Sequence, residues 1–187
     1  PLSWDSSDTP IASNELGNIK AEPANHWDYY DDGYCSDVTE KNVIRPLTSS
    51  KTELMDAIDD LEAYGATSGA LGTAWAWYML SPNWSSIWTG ESAPGSYSDL
   101  SAVSATGAPK LRKIAVLMSD GVYNTVRGDK EYNTNKAPAE PTVGERAVEI
   151  CTNMKANGIE IYTVGFNLDE LGATERAEAE ATLSACG

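Results

Sequence analysis

The run Ile114-Ala115-Val116-Leu117-Met118, ending at Ser119-Asp120-Gly121, constrains this chain more than any other segment. An uninterrupted apolar run of strand length, closed by a turn dipeptide, is the pattern of a strand buried on both faces of a parallel sheet. The sequence after it fits such a sheet. Pro141-Thr142-Val143-Gly144-Glu145 contains a capping box, in which a Thr oxygen and a Glu carboxylate satisfy orphan N–H groups at a helix start. The helix it opens carries Val143, Ala147, Ile150, Cys151 and Met154 on one side, with Lys155 in its last turn and Gly158 beyond. Residues 159–166, IEIYTVGF, then read as a second strand, and the Ala/Glu-rich stretch 174–185 as a further helix. Strand, helix, strand, helix in that order predicts right-handed crossovers and a parallel sheet with 114–118 as a central strand.

Upstream, residues 1–42 show no sustained period and read as an irregular lead. Ser50-Lys51-Thr52-Glu53 is another capping-box pattern, followed by Leu54, Ile58 and Leu61 at helical spacing, which predicts a helix to about Tyr64, stopped by Gly65. Its other face, Asp56, Asp59, Asp60 and Glu62, reads as a solvated surface. A second helix should begin near Ser68 and run through Leu71, Trp75, Tyr78 and Met79 to the residue before Pro82, which disfavours helical geometry. Residues 83–109 are Ser/Gly/Pro-rich with Trp84, Trp88 and Tyr97 among them, and read as a surface excursion that opens on a glycosylation sequon, Asn83-Trp84-Ser85.

Composition narrows the function. A length of 187 residues suits one domain, and 28 acidic against 13 basic side chains give a formal net charge of −15, which repels nucleic acid. Six Trp and nine Tyr require a folded core. No apolar stretch approaches the ~20 residues of a membrane span. The single histidine, His26, rules out a His-rich zinc site and leaves a Ser-His-Asp triad only a residue in the irregular lead. Asp28, Asp31 and Asp32 lack the spacing of a calcium loop.

Two places could carry chemistry. Ligands of open α/β sheets gather at the carboxyl ends of the strands, where Asp120 stands, although an Asp before Gly also caps turns through its own side chain. The hydroxyls of Gly65-Ala66-Thr67-Ser68-Gly69 fall just ahead of the second helix, where a plain N-cap is the simpler role.

Taken together, these segments resemble the von Willebrand factor A fold, and more narrowly the A-like domain of TadG-type proteins of the Tad (Flp) pilus assembly system. The stretches that carry the resemblance are 44–48 (IRPLT), 64–77 (YGATSGALGTAWAW), 80–84 (LSPNW), 114–124 (IAVLMSDGVYN), 150–166 (ICTNMKANGIEIYTVGF) and 183–186 (LSAC). They run in family order from about residue 43 to the end. The resemblance implies a Rossmann-like, doubly wound, mostly parallel sheet, here lacking its first strands. It also implies a metal-ion-dependent adhesion site, in which Mg²⁺ is held by an Asp-x-Ser-x-Ser loop, a Thr from a second loop and an Asp from a third. Thr67 matches the second element and Asp120 the third. Asp5-Ser6-Ser7-Asp8-Thr9 fits the first literally, but no apolar strand precedes it and Pro10 follows, so the match reads as incidental. The true loop is then expected upstream of Pro1, and this chain alone should bind Mg²⁺ poorly.

The resemblance further suggests that Cys151 pairs with Cys186, where the residues alone leave a buried free thiol at Cys151 equally open. Cys35 is then free or paired outside the chain. The implied protein is a non-enzymatic binding and assembly module in the periplasm or at the cell surface. It would meet a protein partner in pilus assembly or adhesion, with a membrane anchor elsewhere in the full-length protein. Two other classes compete: a secreted carbohydrate-binding adhesin using Trp84, Trp88 and Tyr97 as a stacking surface, and a Rossmann-like hydrolase using Asp120, for which no nucleophile and base pair is visible.

Overall fold

A computed structural model describes residues 44–61, 69–123 and 142–187. Residues 44–61 belong to one compact unit, and 69–123 with 142–187 to another. The irregular lead read over 1–42 falls outside the described residues.

In the first unit, helix α1 spans Lys51–Asp59, and Ser50 accepts the Glu53 N–H as its N-cap. The reciprocal half of the box runs through a third residue. Thr48 Oγ1 takes the Ser50 N–H and donates to Glu53 Oε2. The helix stops at Asp59, short of the expected Tyr64. Asp59 and Asp60 stand at its carboxyl end, where the macrodipole is itself negative, and no basic residue stands in the last turn. None of its residues is buried.

The second unit holds the core. Strand β1 (Lys113–Ser119) pairs in parallel with β2 (Ile159–Gly165), Val116 opposite Tyr162. Three helices, α2 (Gly69–Leu80), α3 (Val143–Ala156) and α4 (Ala173–Cys186), pack side by side. Helix α2 lies against β1, and α3 and α4 lie against β2. This is an α/β arrangement with a β1-α3-β2 unit. Its capping box at Thr142 and Glu145 is complete, and Gly158, at φ 78°, makes the turn into β2 that a side chain would strain. Ala115, Leu117, Ile159 and Ile161 meet Ala74, Trp77, Ile150, Cys151, Met154 and Cys186 between the layers. Helix α2 buries Ala70, Thr73, Ala74 and Trp77, so its short side chains face the protein and let the helix approach closely.

The expectation of a central strand buried on both faces needs correction. Burial along β1 alternates strictly, with Lys113, Ala115, Leu117 and Ser119 inside and Ile114, Val116 and Met118 exposed. Among the described residues β1 is one of two strands, and a single helix layer covers one face only. The apolar run encodes two apolar faces, and the second has no described partner.

Two lysines complete helices that lack a basic last turn of their own. Lys113, buried at the start of β1, donates from Nζ to Leu80 O at the end of α2 (2.6 Å) and sits 5.3 Å from the Tyr97 ring centroid. Burial pulls its pKa below the ordinary lysine value, opposed by the charge of Asp99. Lys155 of α3 reaches Ala185 O and Gly187 O at the end of α4. In each case an orphan carbonyl at a negative helix end gains a cation from another element.

Segment 81–112 is a surface excursion with internal order. It contains short 3₁₀ turns at Pro82–Trp84, Gly90–Ser92 and Tyr97–Leu100, and a bridge between Val103 and Pro109. Its aromatic rings turn inward. Trp84 is buried and stacks on Tyr78 (4.3 Å between centroids), Trp88 Nε1 donates to Tyr78 O, and Tyr97 OH accepts from Trp77 Nε1 (3.0 Å). These three side chains hold the excursion to the domain.

Candidate functional site

The turn after β1 is set by Ser119, not by Asp120. The buried Ser119 Oγ donates to Gly121 O (3.0 Å) and lies 3.3 Å from the Gly121 N–H, and its carbonyl accepts the Phe166 N–H from the chain leaving β2. With the turn closed from the preceding residue, the Asp120 carboxylate is left exposed at the carboxyl end of the strand. Its side chain makes no hydrogen bond or ion pair with the described residues, so it does not cap the turn.

Three residues after Asp120, the chain docks on helix α2. The Tyr123 ring lies flat against Gly69 in the first turn, where a methyl group on Gly69 would stand inside the ring. The Tyr123 phenol hydrogen-bonds the Thr73 hydroxyl, which itself donates to Gly69 O (2.8 Å). Burial pushes the Tyr123 pKa above the ordinary tyrosine value, against the opposing effect of the Thr73 bond. The carboxyl end of β1 and the amino end of α2 are thereby fastened together. Gly69 belongs to the run of small residues whose close packing the sequence predicts, whereas Tyr123 and Thr73 carry no such signal beyond a lone aromatic after the Asp-Gly turn.

Replacing Gly69 by Ala should therefore push the Tyr123 ring off the helix, at a cost of about 1–3 kcal/mol. Once exposed, the phenol loses the burial that raises its pKa and titrates closer to the ordinary value. Tyrosinate absorbance, taken as the difference between each protein and its Tyr123→Phe partner, reads this shift. An unchanged titration in Gly69→Ala would mean that the ring does not rest on Gly69.

Of the residues matched to the adhesion-site pattern, Asp120 is placed and Thr67 lies outside the described residues, as do the literal Asp5-Ser6-Ser7-Asp8-Thr9 match, His26, Cys35 and the cluster at Asp28, Asp31 and Asp32. Among the described residues no three His, Cys, Asp or Glu side chains converge as a metal cluster. Asp120 alone offers the donor chemistry of a hard cation, an exposed carboxylate with room for water in the remaining positions. It fits one ligand of such an ion and does not by itself make a tight site.

The cysteines are joined as the resemblance suggested. Cys151 in α3 and Cys186 in the last turn of α4 form a disulfide buried in the core. Such a bond belongs to an oxidising, extracytoplasmic setting. No helix among the described residues is long and apolar enough to cross a membrane. No protein-family model, curated protein or solved structure matches this chain.

Proposed function

We propose that this chain is a von Willebrand factor A-like binding and assembly module of a TadG-type envelope protein, serving Tad pilus biogenesis and adhesion without catalysis. In this reading the two described strands are part of a larger doubly wound, Rossmann-like sheet, and the domain faces the periplasm or the cell exterior. The observation that supports it most is the exposed Asp120 carboxylate at the end of β1, freed by the Ser119 turn and fastened beside the amino end of α2 by Tyr123. That arrangement brings the strand end and the helix that follows Thr67 to one place, as metal-bridged recognition needs.

A bound Mg²⁺ would supply open coordination positions for an acidic group of the protein partner. Asp120, and Thr67 by the resemblance, would hold it. The chain's own contribution is positional: Ser119 fixes the direction of Asp120, and Tyr123 on Gly69 sets the turn against α2.

Asp120→Ala, introduced into the full-length protein in cells lacking the native copy, should reduce surface pili at least about tenfold, since an ion held by few ligands does not tolerate loss of a carboxylate. Pilus counts by electron microscopy, with immunoblots showing equal protein levels, check it. Full piliation by Asp120→Ala would overturn the reading.

A further inference from the structure

An Asp or Asn before Gly can react with its own backbone: the next nitrogen attacks the side-chain carbonyl carbon, and glycine, lacking a Cβ, hinders that approach least. The chain has three such pairs, Asp32-Gly33, Asp120-Gly121 and Asn157-Gly158, and the first lies outside the described residues. The other two are held differently. At Asn157 both reacting groups are tied to the backbone of α3, since Nδ2 donates to Asn153 O (2.9 Å) and the Gly158 N–H donates to Lys155 O (2.9 Å). At Asp120 the exposed carboxylate makes no bond with the described residues, and only the Gly121 nitrogen is held. One side chain holds it. The buried Ser119 Oγ accepts the Gly121 N–H (3.3 Å) and donates to Gly121 O (3.0 Å), so a single hydroxyl clamps both backbone groups of that residue.

We propose that Asp120-Gly121 is a site of spontaneous isoaspartate formation and that the Ser119 hydroxyl is what suppresses it. In the reaction the Gly121 nitrogen bonds to Asp120 Cγ, and the N–H proton leaves with the carboxyl hydroxyl as water, giving a succinimide. Water then adds back at either carbonyl. One opening restores Asp120; the other gives isoaspartate, in which the main chain runs through Cβ and Cγ and the free carboxylate sits on Cα. Ring closure requires the Gly121 nitrogen to surrender its proton and turn toward Cγ, and the bond to Ser119 opposes both. The turn must therefore open before it reacts. Isoaspartate would displace the one placed carboxylate of the candidate site, so the lifetime of that site is set by Ser119. Only this last consequence rests on the cation reading; the chemistry belongs to the turn itself.

The test incubates the protein for weeks at neutral pH, with EDTA in every sample so that no cation shields the carboxylate. Isoaspartate is read by methyltransferase labelling and placed by fragmentation of the peptide that spans residue 120. Ser119→Ala removes two hydrogen bonds of ordinary net strength and should raise the rate at residue 120 about tenfold over wild type. Adding Gly121→Ala should return the rate to the wild-type level or below, because a methyl group there meets no atom within 4 Å, leaving the turn intact while hindering the attacking nitrogen. If Ser119→Ala does not fold by circular dichroism, Ser119→Cys takes its place with the same expected direction, a thiol being a weak donor and acceptor. Equal rates in wild type and the folded Ser119 variant overturn the proposal, as does label that maps away from residue 120 or survives Gly121→Ala. Piliation by Asp120→Ala reads the cation proposal alone, so failure of one is distinguishable from failure of the other.

Discussion

Cys151→Ala is expected to lower the stability of the α/β unit by about 3–4 kcal/mol, because the bond to Cys186 closes a loop of 35 residues. Cross-linking over that span removes conformational freedom from the unfolded chain, and the cost of losing it does not depend on any contact the sulfur makes. The local damage adds to it. Both cysteines lie in the cluster formed by Ile150, Met154, Ile159 and Ile161, so alanine also leaves a small void beside a buried Cys186 thiol. For a unit of this size the melting temperature should fall by about 10–20 °C. Denaturant unfolding of the wild type with and without reductant, with thiol counting, provides the control. Reduced wild type should approach Cys151→Ala, and equal stability in both redox states would show that the bond does not constrain the fold.

The same bond marks what sequence could and could not disclose. Cys151 falls on the apolar stripe of α3 with Ala147, Ile150 and Met154, so its burial was legible from helical period alone. Its pairing was not, since spacing along a chain does not fix which cysteines meet, and only the family resemblance pointed to Cys186. The α3 start was equally legible, because a capping box is a local device and Thr142 and Glu145 carry all of it. At α1 the same four-residue pattern was answered differently: Thr48 intercepts the Glu53 carboxylate, a competition between neighbours that the motif does not contain.

What escaped the sequence was non-local. The charges that finish α2 and α4 come from Lys113 and Lys155, on other elements, so neither helix carries its own stop signal in its last turn. A lysine opening an apolar strand looks like its solvated end, yet Lys113 is buried because the carbonyl of Leu80 and the Tyr97 ring receive it. The β1 run has the opposite history. Its apolar character fits burial on both faces, but hydrophobicity states only what a face needs, and the described chain supplies cover to one. At the candidate site, Asp120 was legible from its place at a strand end. Its freedom from the turn was not, because that follows from Ser119 making both hydrogen bonds first.

The inward use of the aromatic residues carries the second large prediction. Trp77 is 2% exposed and sits where α2, the sheet and the 81–112 excursion meet. Its ring fills the core, and its Nε1 proton goes to Tyr97 OH, whose own ring receives the Lys113 ammonium. Trp77→Ala should therefore cost about 3–5 kcal/mol through the cavity alone. It should also release Tyr97, and with it the 3₁₀ turn at Tyr97–Leu100. Trp77→Phe keeps most of the volume and removes the hydrogen bond, so it should cost only about 1–2 kcal/mol while still loosening the turn. Denaturant unfolding measures the two stabilities, and amide hydrogen exchange locates the loosening. If Ser101 and Ala102, whose amides bond within and just after that turn, keep wild-type protection in Trp77→Phe, the excursion is anchored by Trp84 and Trp88 and not by the Trp77–Tyr97 bond. If protection falls there and nowhere else, a single indole proton couples the core of the domain to the 81–112 excursion.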